Sequence, residues 1–231
     1  MEIDLNCDLG EGCGLDEELM PLITSTNIAC GFHAGDPATA FRTLQSAASC
    51  GVSAGAHPGF PDREHFGRRE LIEPEQQVFA ETVYQIGALA GLAGAAGIAL
   101  GHLKPHGALY NLACRDDHYA RPIVEAAVLF KLPLLGLPGS RLQALASNRC
   151  RFIGEGFADR RYQADSSLVP RSDPHAFVDN LDEAVQQVEK LIRERGVQTI
   201  CVHGDNPQAL DFVRELRKSL TNRGIAIRPF K

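Results

Sequence analysis

One pattern recurs along this chain: an apolar segment ends in polar residues and glycine, and a segment with helical spacing of apolar residues follows. Ile98–Asn111 shows it most clearly, with an apolar run to Leu103 and then Lys-Pro-His-Gly. Because proline cannot donate to a sheet ladder, this strand should end by Pro105, with a lysine and a histidine at its C-terminal tip. The alternation of strands and helices predicts an α/β fold with a parallel sheet, in which ligands bind at such tips.

The pattern continues without a break in composition, which predicts one domain over residues 1–231. The length and the even spacing favour a barrel of about seven or eight strands, and an open, doubly wound sheet is the alternative. The expected strands are Glu2–Asp8, Thr26–Cys30, Val52–Ala56, Ile98–Leu103, Leu132–Leu137, Arg151–Phe157, Gln198–Val202 and Ile225–Ile227.

Helices are expected between these strands. Asp36 precedes Pro37 as a helix N-cap, and Asn206 with Pro207 repeats that arrangement. Two polar segments are longer than plain connections need and are expected to be ordered loops near a site: Asp62–Arg69 and Tyr162–His175. The expected helices are Asp16–Leu22, Pro37–Cys50, one from Pro74, Asp117–Lys131, a short one after Pro138-Gly139, one around Leu181–Ile192 and Gln208–Leu220.

Charge and composition exclude several classes of partner. A net charge of −6 argues against nucleic acid or an anionic membrane as the main partner, since both need a basic face. No apolar run approaches the length of a membrane span, and the N-terminus lacks the layout of a signal peptide. The seven cysteines include no Cys-x-x-Cys pair, so we expect reduced thiols in a cytoplasmic protein.

Four of the eight histidines stand at the ends of four different predicted strands: His33, His57, His106 and His203. In a closed parallel sheet these tips converge on one pocket, whereas one such histidine alone would more simply be a loop residue. The other side chains expected at this pocket are Asp8, Glu11, Lys104, Asn111, Glu155, Asp159 and Asp205.

Two kinds of chemistry suit this set. Asp8 with His33 and His57 could hold a divalent metal ion that activates water. Alternatively, the carboxylates and imidazoles could act as general acid and base without a metal. There is no His-x-x-x-His, no phosphate-loop motif and no Gly-x-Ser-x-Gly elbow, so any metal site must be assembled from separate strands.

Eight blocks of sequence are similar to those of a known family, in the same order and over nearly the whole chain. The chain thereby resembles the LamB/YcsF family, whose members are described as one subunit, designated A, of a bacterial 5-oxoprolinase. The blocks are DLNCDLGEG (Asp4–Gly12), NIACGFHAGDP (Asn27–Pro37), GAHPGFPD (Gly55–Asp62), FGRR (Phe66–Arg69), LKPHGALYN (Leu103–Asn111), EGFADRRY (Glu155–Tyr162), LVPRS (Leu168–Ser172) and VHGDNP (Val202–Pro207).

The resemblance implies a (β/α)7-type barrel like that of the glycoside hydrolase/deacetylase group. It also implies ATP-dependent cleavage of 5-oxo-L-proline to L-glutamate, with release of ADP and phosphate, in a complex with 5-oxoprolinase subunits B and C. A homo-oligomer is compatible with this expectation. Two alternatives remain: a stand-alone, metal-dependent amidohydrolase or deacetylase on the same barrel, and a non-catalytic scaffold that only assembles the complex.

On this hypothesis the pocket residues divide into two groups. The expected catalytic residues are Asp8, His33, His57, Lys104, His106, Glu155, His203 and Asp205. Lys104 and His106 are expected to bind or polarise an oxyanion or a phosphate. The expected substrate-binding residues are Asn6, Glu11, Asn27, Arg68, Asn111, Asp159 and Arg160.

Overall fold

A computed structural model describes residues 1–178, 180–203 and 208–230. Seven parallel strands close into a barrel, because β1 pairs with β2 on one side and with β7 on the other. Closure confirms the predicted barrel and rules out the open sheet. The strands are β1 (Glu2–Leu9), β2 (Ser25–Ala29), β3 (Ser53–His57), β4 (His102–Leu103), β5 (Leu134–Gly136), β6 (Phe152–Phe157), β7 (Thr199–His203) and β8 (Ala226–Ile227).

The short strand β8 lies outside the closed barrel and pairs with the first residues of β1. Helices surround the barrel, and their apolar faces pack on the outer sides of the strands. The helices are α1 (Asp16–Leu19), α2 (Pro37–Cys50), α3 (Glu75–Ala95), α4 (Gly107–Arg115), α5 (Asp117–Phe130), α6 (Arg141–Ala146), α7 (Leu181–Arg195) and α8 (Ala209–Asn222).

The ends of α2 follow directly from the local sequence. The side chain of Asp36 accepts a hydrogen bond from the backbone N–H of Thr39 at 2.9 Å, and Pro37 occupies the first helical position. Gly51 ends the helix with φ of 67°, a conformation that glycine adopts without steric cost. The predicted helix Pro37–Cys50 and its Asp36 cap are confirmed, whereas Asn206 and Pro207 lie outside the described residues.

Two elements around the fourth strand differ from the prediction. Only His102 and Leu103 form β4; the half-exposed Ile98 and Leu100 do not join the sheet. Immediately after the strand tip, helix α4 buries Leu109 and Leu112, although no helix was predicted there. The helix begins within the polar residues of the strand tip, so the sequence pattern does not show where it starts.

By length and apolar composition alone, α3 could cross a membrane, contrary to the expectation that no segment approaches that length. It lies in the outer layer of the barrel, where it packs against α2, α5 and β3. Val78, Ile86 and Leu89 are buried on its inner face. Part of the apolar surface of α3 is therefore used in packing the barrel.

The interior of the barrel is unusually polar. Along β1, Asp4, Asn6 and Asp8 alternate with apolar residues that belong to the core beneath the helices. At the bottom of the barrel, Asp4 accepts hydrogen bonds from Ser25 at 2.6 Å and from Thr199 at 2.5 Å. Burial raises the pKa of Asp4, against the opposing effect of these hydrogen bonds. This layer closes the barrel below the strand tips.

Candidate active site

A lysine stands at the centre of the barrel, just past the end of β4. Lys104 is 2% exposed, and its Nζ lies 2.8 Å from Asp8 Oδ1 and 3.0 Å from Glu155 Oε1. Burial by itself would lower the pKa of Lys104, but Asp8, Cys201 and Glu155 together raise it well above its usual range. The side chain is therefore a permanent ammonium beneath the strand tips.

Asp8 connects this lysine to the histidines. Its Oδ1 also accepts a hydrogen bond from Asn27 at 2.8 Å, and its Oδ2 lies 3.3 Å from His57 Nε2. Burial would raise the pKa of Asp8, but the charges of His57 and Lys104 outweigh burial and hold it well below its usual range. Asp8 is accordingly an ionised acceptor.

A layer of amides below Asp8 fixes its orientation. His102 lies 2.7 Å from Asn27 Oδ1, and Asn27 donates to Asn6 Oδ1 at 2.7 Å. Asn6 in turn donates to Thr199 at 2.7 Å. Burial lowers the pKa of His102 to about 3, so the ring is neutral and donates its Nε2–H to Asn27. His102 thus supports the site from below.

Three imidazoles meet above Asp8. The rings of His33 and His106 stack with centroids 3.7 Å apart, and His57 Nε2 lies 3.0 Å from His106 Nδ1. The other nitrogen of each facing ring contacts a backbone carbonyl: His57 Nδ1 that of Lys104 and His106 Nε2 that of Phe66, each at 2.8 Å. Burial, reinforced by neighbouring imidazoles, lowers the pKa of His33 and of His106 well below the usual range.

The last predicted histidine forms a pair with a carboxylate. His203 Nδ1 lies 2.7 Å from Asp159 Oδ2, which also accepts the backbone N–H of His203 at 3.2 Å. Burial would raise the pKa of Asp159, but the charge and hydrogen bonds of His203 lower it. The carboxylate therefore holds the proton of His203 on Nδ1, which leaves Nε2 as an acceptor.

These groups surround a cleft of about 150 Å³ at the carboxyl ends of the strands. The segment after β6 covers it, since Leu168, Val169 and Arg171 line the cleft and Tyr162 bridges to Leu168. Arg160 is 5% exposed and donates to the carbonyl of Val169 at 2.6 Å. Burial first, and then the neighbouring Arg171, lowers the pKa of Arg160 to about 10. The predicted ordered loop is confirmed as a wall of the site.

The structure brings the predicted residues together in two layers. Asp205 lies outside the described residues. His33, Asn6, Asn27, Glu155 and Asp159 lie behind the surface of the cleft and contact the residues that face it. The predicted residues that line the cleft are Asp8, Glu11, His57, Arg68, Lys104, His106, Asn111, Arg160 and His203.

Two side chains at the site, Tyr110 and Cys201, were not among the residues assigned to it from the sequence. Tyr110 lines the cleft, and burial, reinforced by the nearby Glu155 carboxylate, raises the pKa of its hydroxyl. It stands one helical turn after His106, a spacing that would have placed it on the same side of α4. The Sγ of Cys201 lies 3.0 Å from Lys104 Nζ. Its position two residues before His203 on β7 indicates the same, inward face.

Comparison with known proteins identifies the family. A family model described as the LamB/YcsF family matches residues 3–231. The chain belongs to the LamB/YcsF family. It is 50% identical to a protein of Geobacillus kaustophilus (strain HTA426) named as a 5-oxoprolinase subunit, designated A, in a match that covers 97% of this chain and 95% of that protein. The predicted membership is confirmed.

Solved structures agree with this LamB/YcsF assignment. The crystal structure of a lactam utilization protein from Thermus thermophilus is 39% identical, with a TM-score of 0.91 over 100% of both chains. A polysaccharide deacetylase from Bacillus cereus is only 12% identical, with a TM-score of 0.55 over 100% of this chain and 92% of that one. This more distant likeness shows that the fold is a deacetylase-type barrel.

Proposed function

We propose that this chain is the lactam-binding subunit of an ATP-dependent 5-oxoprolinase, which converts 5-oxo-L-proline to L-glutamate in the cytoplasm. The observation that carries the proposal is the polar cleft, where the His203–Asp159 pair and the buried Lys104 ammonium face one small cavity. Close relatives are named as one subunit of 5-oxoprolinase, which supports the reaction and implies partner subunits, which we take to be B and C.

The chemistry requires coupling to ATP, because a five-membered lactam is a stable amide. Phosphorylation of the lactam oxygen by ATP releases ADP and activates the ring carbon towards water. The adding water loses a proton, the carbon–nitrogen bond breaks and the ring nitrogen gains a proton. A second water then releases phosphate from the acyl phosphate and leaves glutamate.

His203 is suited to accept the proton of the attacking water. Asp159 fixes its Nδ1–H, so the basic Nε2 remains available on a ring that lines the cleft. Catalytic histidines are commonly oriented by a carboxylate in this way, and the carboxylate also stabilises the imidazolium that forms.

Tyr110 and Lys104 are suited to stabilise the negative charge that develops on the lactam oxygen. Burial raises the pKa of Tyr110, so its hydroxyl keeps its proton and can donate to the lactam oxygen. Lys104 already contacts Asp8, Glu155 and Cys201, so it acts through its charge beneath the floor of the cleft. We assign the donor role to Tyr110 in place of His106, because the Nε2–H of His106 is directed at a carbonyl.

Arginine side chains supply an anion-binding rim. Arg68, Arg160 and Arg171 line the cleft, and guanidinium groups bind carboxylate and phosphate oxygens in a bidentate fashion. This donor set suits the carboxylate of 5-oxoproline and the phosphate groups of ATP. The sequence contains no phosphate-loop motif, so the rim is the feature of this chain that fits the nucleotide best.

The test is glutamate release from 5-oxoproline with ADP measured in parallel, for this chain alone and for the chain assembled with subunits B and C. Glutamate and ADP that appear together, and only in the complex, would support the proposal. Nucleotide-independent hydrolysis by the chain alone would contradict it in favour of the stand-alone amidohydrolase, which the names of the relatives do not favour.

A matched pair of histidine variants separates catalysis from assembly. His203→Asn in the assembled complex should abolish turnover, whereas His175→Asn, at an exposed histidine, should not. Full activity of the His203→Asn complex would contradict the catalytic role and favour the scaffold.

A further inference from the structure

Four side chains from four different segments direct potential metal ligands at one point. Glu11 Oε1 lies 3.4 Å from both His33 Nε2 and His106 Nδ1, and His106 Nδ1 lies 3.0 Å from His57 Nε2. One ligand atom from each of the four residues lies within 4.8 Å of all the others. Bonds of about 2.0–2.1 Å to a tetrahedral ion would place two ligands about 3.3 Å apart, close to these separations.

In His57 and His106, the two closest imidazoles, hydrogen bonds fix the ring proton on the nitrogen that faces away from the other ring. His57 Nδ1 and His106 Nε2 each face a backbone carbonyl oxygen at 2.8 Å, and a carbonyl only accepts hydrogen bonds. When both rings are neutral, each has a single N–H, so His57 Nε2 and His106 Nδ1 present lone pairs to each other across 3.0 Å, with Asp8 Oδ2 a further acceptor 3.3 Å from His57 Nε2. Two facing lone pairs repel unless a proton or a cation lies between or beside them.

The surroundings of His33 indicate that a cation, and not a proton shared between His57 and His106, suits the cluster. A single proton could join His57 to His106, but it would leave the third imidazole unsatisfied. His33 is 1% exposed, and neither of its ring nitrogens has a hydrogen-bond partner among the described residues. A metal ion would bind His33 Nε2 together with one atom of each of the other three residues, and so would satisfy the four ligand atoms that face one another.

Two glycines in the surrounding backbone leave the space that these rings occupy. A side-chain carbon at Gly59 would lie 2.7 Å from His33 Nδ1, and one at Gly67 would lie 2.7 Å from His33 Cβ. Both separations are shorter than van der Waals contact, so the stacked rings fit only against glycine. The carbonyl contacts of His57 and His106 are also typical of metal-bound histidines, whose second nitrogen is oriented in this way.

We propose that Glu11, His33, His57 and His106 bind a divalent transition-metal ion. Three imidazoles and one carboxylate are ligands that suit Zn²⁺ and related ions. The set keeps two of the residues of the predicted metal site, and Glu11 and His106 replace Asp8, whose Oδ1 binds Lys104 and Asn27. Glu11, His57 and His106 line the cleft, which gives the ion an entry path.

The test is direct metal binding by the chain after treatment with a chelator. The stripped protein is incubated with Zn²⁺, separated from free metal by gel filtration and analysed for bound zinc. We expect about one Zn²⁺ per chain. Loss of an orienting contact alone costs about 10–100-fold in metal affinity, so Glu11→Gln and His33→Asn, which each remove a ligand, should weaken binding by about 100-fold. His175→Asn changes an exposed histidine outside the cluster and should bind zinc normally.

Co²⁺ gives a second readout on the unaltered chain, so the conclusion does not depend on the variants folding. A four-coordinate, nitrogen-rich Co²⁺ site absorbs intensely in the visible range, whereas hydrated surface ions absorb weakly. Failure of the wild-type chain to retain stoichiometric zinc, a weak hydrated Co²⁺ spectrum, or normal zinc binding by both ligand variants would overturn the proposal. These measurements need neither ATP nor partner subunits, so their failure is distinct from a failure of the 5-oxoprolinase proposal.

Discussion

Replacement of Lys104 by methionine should strongly destabilise the folded chain. The ammonium is 2% exposed and lies within 3.0 Å of two carboxylates, Asp8 and Glu155, which are 7% and 0% exposed. Methionine retains the apolar stem but leaves two buried carboxylates without their cation. Removal of one partner from a buried ion pair costs about 3–5 kcal/mol. In a chain of this size that corresponds to a fall in Tm of about 6–20 °C.

Urea denaturation of wild type, K104M and K104M/E155Q measures this effect. The double variant should recover part of the lost free energy of unfolding, because Glu155→Gln removes one of the orphaned charges. The control is K218M: Lys218 pairs at 3.7 Å with Glu215 and is 68% exposed, so its loss should cost less than about 1 kcal/mol. A K104M chain within about 1 kcal/mol of wild type would refute the reasoning.

The pH dependence of this deficit has a definite sign. In the wild type the pKa of Asp8 is lowered, so its stabilising contribution is present above the unfolded pKa of about 3.9 and is lost as the pH falls through the lower folded value. Without the lysine, protonation of a buried carboxylate relieves the unfavourable charge. The deficit of K104M relative to wild type should therefore be smaller at pH 5 than at pH 8, and a larger deficit at pH 5 would contradict the argument.

Three further variants test separate links between sequence, fold and function. Gly55→Ala would place a carbon in a steric clash with the His102 ring, and we expect a loss of about 1–3 kcal/mol in urea denaturation; an unchanged midpoint would contradict this clash. Asp159→Asn should lower kcat of the assembled complex by about 10²–10⁴-fold with little change in Tm, because His203 loses the carboxylate that orients it; an unaltered kcat would exclude the pair from catalysis. Asp36→Ala removes only the cap of α2 and should cost about 1 kcal/mol without affecting kcat; a catalytic defect would show that Asp36 has a role beyond capping.

The sequence predicted the strand tips well because two local signals coincide there. Pro105 stops the ladder after Leu103, and the polar residues that follow must leave the apolar layer. The same reasoning placed His57 and His203 at the ends of β3 and β7, where the structure has them. Such signals depend only on neighbouring residues, so one sequence was sufficient.

Inward-facing polar residues were harder to assign. Cys201 and His102 lie on the inner faces of strands, but burial by itself cannot distinguish a core residue from one that supports a charged site. Their partners, Lys104 and Asn27, are distant in the chain. Only the pairing of strands brings these groups into contact.

The sequence by itself determined the alternation of strands and helices, the family, and the residues that would stand at the strand tips. Tertiary structure alone decided that the sheet closes, because closure depends on β1 pairing with both β2 and β7. It also decided which nitrogen of His57 and which nitrogen of His106 carries the ring proton, since a backbone carbonyl of another segment accepts the single N–H of each neutral ring. Periodicity and local propensity act over a few residues, whereas closure and protonation are set by contacts between residues far apart in the chain.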